Sequence, residues 1–176
     1  MAGDLLPIRT ERLVLRRFHA RDLDAFQRYR ADPDVARHQG WDRFTAADAA
    51  AFWEEQRDRR LGDVGDWVQI AVADPMTDQL LGDVATKIAA DRSAAEIGVT
   101  FARDHQGRGF AREALGALVD VLFARLGVAR IVAWTAADNV RVHQLLSGLG
   151  FIAGEPDGDD APYALRRTPG VPRMTR

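Results

Sequence analysis

The sequence predicts an α/β fold: a mixed, mostly antiparallel sheet of six or seven strands flanked by about four helices. Three observations point there. Three apolar or alternating runs, Trp67–Ala73, Leu80–Ile88 and Ala94–Ala102, follow one another across short polar turns, the pattern of an antiparallel meander. The periodicity then changes, with apolar residues at positions 111, 114, 115, 118, 119, 122, 123 and 126, the stripe of a long amphipathic helix. A further strand pattern and a further helix pattern follow it.

Each element has a local reason. Glu11–Phe18 alternates, with Leu13 and Leu15 on one face and Val14 and Arg16 on the other, as a strand does. Asp22 stands where an N-cap belongs, ahead of Leu23, Phe26, Tyr29 and Arg30 at helical spacing. Asp32-Pro33 stops that helix, because the residue before proline avoids helical backbone. A second helix opens at Thr45, where Asp48 completes a capping-box pattern. Ala49, Phe52, Trp53 and Gln56 form its stripe, and Gly62 and Gly65 end the helical part. The meander turns at Asp74–Asp78 and at Asp91-Arg92-Ser93. Gly127 closes the long helix as a C′ glycine. Ala129–Thr135 reads as a strand. Asn139 caps a helix that turns Val142, Leu145, Leu146 and Leu149 inward and ends at Gly150. Tyr163–Leu165 reads as a last strand, and the tail with Pro169 and Pro172 as loose chain. With no repeat and no long linker, residues 1–176 are expected to form a single domain.

Composition narrows the function. The chain is 47% hydrophobic and 28% charged, with a formal charge of −2. That balance suits a globular protein and argues against nucleic-acid binding, which needs a basic excess. Lys87 is its single lysine among many arginines. The arginines are scattered, which fits codon usage better than a recognition patch. With no cysteine there is no disulfide, thiolate nucleophile or cysteine metal site. His19, His38, His105 and His143 show no metal-ligand spacing, so no metal is expected. No stretch approaches the roughly 18 apolar residues of a membrane helix, and the first residues do not resemble a signal peptide. A cytoplasmic protein without a membrane partner is expected.

The chemistry concentrates in Thr100–Glu113, where a strand ends, a glycine-rich turn follows and the long helix begins. The first N–H groups of a helix lack internal partners and the helix dipole adds positive potential, so such an end attracts phosphate. Gly107 and Gly109 let an anion approach the backbone, and Arg108 can add charge-assisted hydrogen bonds. A P-loop would require lysine, which this turn lacks. A dinucleotide fingerprint would require glycine where Arg112 stands, within a parallel βαβ unit. The pattern Q/R-x-x-G-x-G/A is met in full by Gln106, Gly109 and Ala111.

That pattern resembles the pyrophosphate-binding motif of the GNAT superfamily of N-acetyltransferases. The likeness extends to Thr10–Arg16, Ala95–Val99, Leu126–Ile131 and Asn139 through Gly150-Phe151, which resemble successive segments of the branch containing the ribosomal-protein alanine acetyltransferases. The resemblance implies acetyl-CoA as co-substrate and a primary amine as acceptor, whether a protein N-terminus, an aminoglycoside or a polyamine. It implies parallel strands at Ala94–Ala102 and Ala129–Thr135, splayed so that a V-shaped gap admits the pantetheine arm. The cofactor-binding residues it implies are Val99, Phe101, Gln106, Gly107, Arg108, Gly109, Phe110, Ala111 and Asn139. Glu96 is implied as the base that takes the acceptor's proton, directly or through water; the plainer role is an ion pair with a neighbouring arginine. Asn139 bonds the CoA arm, caps its helix, or both. Two expected hydroxyls are missing, since Leu146 replaces a common tyrosine and Val142 a common serine. No general acid is therefore assigned, with Ser147 and His143 merely nearby. His38, Trp41 and Phe44 fall where similar proteins line the acceptor side. A homodimer, a non-catalytic acyl-CoA sensor and a dinucleotide-dependent oxidoreductase stay open.

Overall fold

The computed structural model describes residues 5–41 and 43–167. Strands β1 (Ile8–Arg9) and β2 (Val14–Arg16) open the sheet. Three helices follow: α1 (Leu23–Arg30), α2 (Pro33–Ala36) and α3 (Ala46–Gln56). Strands β3 (Trp67–Ala73), β4 (Leu80–Ile88) and β5 (Ala94–Phe101) then extend the sheet, each antiparallel to its neighbour. Helix α4 (Phe110–Ala124) crosses over to β6 (Arg130–Ala136), which runs parallel to β5. Helix α5 (Val140–Gly148), β7 (Ile152–Ala153) and β8 (Asp160–Arg166) complete the order β1-β2-β3-β4-β5-β6-β8-β7.

The sheet separates two apolar layers. On one face Leu115, Leu118 and Leu122 of α4 pack on Leu15, Ile70, Ile97 and Ile131. On the other, Phe18, Phe26 and Tyr29 pack on Ala71 and Leu80, with Phe44 and Phe52 behind them. Gln56 locks α3 to the sheet: its Nε2 donates to the Trp67 carbonyl at 3.1 Å, and its Oε1 accepts from the Gln69 N–H at 3.0 Å.

The predicted class stands, with corrections. Among the described residues there are eight strands rather than six or seven, and five α-helices rather than about four. The additions β1, β7 and α2 span two, two and four residues, too short for periodicity to show. The expected strand Glu11–Phe18 narrows to β2, and α4 begins one residue early, at Phe110. The Thr45–Asp48 capping box is present. Asp22 does not cap α1 with its side chain. Its carboxylate instead accepts from both terminal nitrogens of Arg16, at 2.7 and 3.0 Å. Arg16 is buried on β2, and a buried guanidinium without a carboxylate would be costly. The tail around Pro169 and Pro172 lies outside the described residues.

Candidate active site

A short 3₁₀ turn, Arg103–His105, carries the chain from β5 to the glycines. Gly107 and Gly109 both have positive φ, +72° and +80°, where a side chain is strained. Gly109 is the N-cap of α4 and, lacking a side chain, offers that end no cap of its own. The first N–H groups of α4 therefore face outward as donors for an anion. Gln106 braces the turn: its Nε2 donates to the Phe101 carbonyl at 2.9 Å, and its Oε1 accepts from Arg141 at 3.3 Å. Phe101 and Phe110 are buried beneath the turn, with ring centroids 6.4 Å apart. The guanidinium groups of Arg12 and Arg108 each lie 5.0 Å from the Phe110 ring. Ala111 is half-buried.

Arg12 is a contributor that the local motif did not reveal. Its Nη1 donates to the Arg108 carbonyl at 3.0 Å, inside the turn. Its Nε and Nη2 reach Glu113 at 2.7 Å each. The opening strand region therefore positions the anion turn. Arg112 is also explained: its Nη2 donates to the Gly148 carbonyl at 2.9 Å, tying α4 to the end of α5.

Beside the turn the sheet opens. Strands β5 and β6 pair only at Ala94↔Arg130, Ala95↔Ile131 and Glu96↔Val132. Beyond Glu96 they part. A cavity of about 90 Å³ fills the opening, walled by Ile97, Gly98 and Val99 from β5 and by Ala133, Trp134 and Thr135 from β6. Leu115, Asn139, Val142, Leu146, His38 and Gln39 complete its wall. Asn139 also caps α5, its Oδ1 accepting from the Val142 N–H at 3.4 Å.

Glu96 occupies the last paired row, opposite Lys87 on β4. Burial pushes its carboxyl pKa up, and Lys87 only partly opposes this. It is not on the cavity wall. His38 is on that wall, whereas Trp41 and Phe44 are held in the layer below. The Trp41 indole donates to the Arg30 carbonyl at 2.9 Å, and Phe44 packs on Phe26 at 5.3 Å. His143 is engaged at both ring nitrogens, with Tyr163 Oη at 2.8 Å and the Ala137 carbonyl at 3.0 Å. A larger open cleft of about 420 Å³, between Arg9, Arg17 and Pro75, lies apart from both turn and gap. Its Arg16 and Asp78 bind each other at 2.6 Å. Among the described residues no three acidic, histidine or cysteine side chains are grouped to hold a metal, and no helix is long and apolar enough to cross a membrane.

Comparison with known proteins agrees with this geometry. The model of the acetyltransferase (GNAT) domain matches residues 12–152. An uncharacterized N-acetyltransferase of Bacillus licheniformis is 33% identical over 144 residues, covering 81% of this chain and 80% of that protein. The crystal structure of a GNAT-family acetyltransferase from Bacillus anthracis superposes with a TM-score of 0.80 at 22% identity, over 92% of this chain and 98% of that one. Spermidine N-acetyltransferase from Vibrio cholerae, solved with CoA and spermine, gives a TM-score of 0.76 at 19% identity, over 89% and 96%. At such identities the structural likeness is one of fold. The family match and the B. licheniformis relative, taken with the glycine turn and the parted strands, settle the family: the chain belongs to the GNAT acetyltransferases, enzymes that transfer an acyl group from acyl-CoA to an amine.

Proposed function

We propose that this chain binds acetyl-CoA with its pyrophosphate on Gly107–Ala111 and its pantetheine arm between β5 and β6. The acetyl group then passes to a primary amine that enters from the side of His38. The observation that carries this is the parting of β5 and β6 immediately beside the glycine start of α4. Backbone groups of Ile97–Thr100 on that edge have no β6 partner, so an extended amide-bearing arm can pair with them. Val99 and Asn139 flank the arm, and Arg108 meets phosphate. Phe101 and Phe110 act from beneath, as the packed floor of the turn.

Transfer requires a neutral amine. Glu96 is the proposed base, reached through water because it stands behind the wall. Its raised pKa makes it a better proton acceptor than an exposed carboxylate. The amine attacks the thioester carbon, the C–S bond breaks, and the thiolate leaves protonated. No metal enters the scheme.

The test is Gly109→Asp against Gly109→Asn. Asparagine tolerates positive φ at least as well as aspartate does, so the pair isolates charge. Two like charges about 4 Å apart cost roughly 4 kcal/mol at an effective dielectric near 20. CoA affinity should fall by about 10²-fold or more in the Asp variant and little in the Asn variant. Equal affinity in both, measured calorimetrically on folded protein, would place the pyrophosphate elsewhere. Steady thiol release with a panel of amines separates an enzyme from an acyl-CoA sensor. NADH in place of acetyl-CoA tests the dinucleotide alternative.

A further inference from the structure

Among the described residues that wall the gap, His38 is the one titratable side chain. It stands in the loop after α2 and shares the cavity wall with Gly98 and Leu146. Its Nδ1 lies 3.3 Å from Asp138 Oδ1, and Asp138 immediately precedes the cap residue Asn139. The segment that carries His38 is anchored on both sides. Asp34 of α2 pairs with Arg103 of the 3₁₀ turn after β5, and Trp41 is bonded to the Arg30 carbonyl.

We propose that His38, oriented by Asp138, is the residue that first takes the proton from the acceptor ammonium and relays it through water to Glu96, the base of the reading above. This rests on the acetyl-transfer reading above. A carboxylate at Nδ1 favours the tautomer with its proton there, leaving the Nε2 lone pair as the acceptor. The same division of labour between carboxylate and imidazole serves acyl transfer in hydrolases. The step balances without a co-reactant. One proton passes from R–NH₃⁺ to Nε2, and the nitrogen lone pair forms the C–N bond. The C–S bond breaks with its electron pair on sulfur. The second nitrogen proton goes to the thiolate. The imidazolium passes its proton on through water to Glu96.

The experiment uses the full chain with acetyl-CoA and three probe acceptors: spermine, kanamycin and a short peptide with a free N-terminal amine. Product is read by mass spectrometry. With the acceptor that wild type uses, His38→Ala should lower kcat by about 10²–10⁴-fold, the usual contribution of a positioned base, with acetyl-CoA affinity unchanged. Imidazole added to the buffer should restore part of that loss. Asp138→Asn should also lower kcat, since an amide can donate to Nδ1 and disfavour the tautomer that leaves Nε2 free. His38→Gln keeps the bulk of the side chain and serves if the alanine variant does not fold. A folded His38 variant with kcat within about twofold of wild type overturns the assignment and leaves Glu96 as the base without a relay. So does a variant whose loss is confined to KM and insensitive to imidazole. If wild type binds acetyl-CoA but acetylates none of the probes, the transfer reading fails and His38's role falls with it.

Discussion

The surroundings of Glu113 and Glu96 push their carboxyl groups in opposite directions. Glu113 accepts from Thr10 Oγ1 at 2.6 Å, from the Arg12 N–H at 2.8 Å and from the Arg12 side chain at 2.7 Å. Burial works to raise its carboxyl, but the Thr10 and Arg12 hydrogen bonds outweigh that and hold it below the ordinary glutamate range. A depressed carboxylate stabilises the fold above its unfolded pKa, about 4.3, and that stabilisation is lost as pH falls through the lower folded value. Glu113→Gln should therefore cost about 1 kcal/mol at neutral pH, a value discounted for the solvent exposure of Arg12. The urea midpoints of variant and wild type should converge on acidification through the carboxylate range. A difference that stays constant with pH would remove the charge from the explanation. For Glu96 the sign reverses: burial raises it, so ionisation opposes folding as pH rises through the ordinary glutamate range. Glu96→Gln should leave Tm unchanged or slightly higher at neutral pH. It should lower the rate by about 10²-fold, the low end for a general base, because it acts from behind the wall. That loss should shrink as pH rises and more acceptor arrives neutral. A pH–rate profile that overlays wild type ends the base role. Of the side chains at this site, those in the turn were legible because their spacing is local. Arg12 and the His38–Asp138 contact were not, since each joins positions about a hundred residues apart.

The elements follow the sequence closely where they are long. Strands β3 and β4 match their apolar runs to the residue, and α3 starts at its capping box. What sequence alone did not supply is how closely two elements approach. Gly82 sits inside β4 opposite Phe101. A Cβ there would meet the Thr100 carbonyl oxygen at 2.5 Å and Phe101 Cα at 2.8 Å. Both are backbone atoms of β5, so relief requires the strands to separate. Gly82→Ala should cost about 1–3 kcal/mol, as overpacking does, read as a lower urea midpoint. It should also weaken CoA binding, because Phe101 is the last residue of β5 and its carbonyl anchors Gln106. Full stability in the alanine variant would show that β4 and β5 can slide apart freely, and would disconnect this strand pair from the turn.

At the scale of the molecule the sheet is two unequal parts joined by a short seam. Strands β6, β8 and β7 meet the rest through three rows of β5, and α4 bridges the two parts. The alternating pattern of β5 and β6 shows that both are strands, but it carries no mark of where their pairing stops. Val142 and Leu146 of α5, with His38 and Gln39 from the loop after α2, wall the opening where that pairing stops. A ligand laid along the seam would bond to both parts, and so should stabilise the whole fold by mass action, about 2.7 kcal/mol at a hundredfold excess over its Kd. Acetyl-CoA should raise Tm in a concentration-dependent way. Hydrogen exchange should slow in Ile97–Thr100 and in Ala133–Thr135 together, in addition to the first turn of α4. Adenosine 3′,5′-bisphosphate lacks the arm and should protect neither strand. If acetyl-CoA slows exchange at the turn alone, the arm does not lie between the strands and the gap is not the site of transfer. If both strands respond, the three-row seam is the feature that makes room for the substrate, since longer pairing would close the opening and leave its backbone groups bonded to each other.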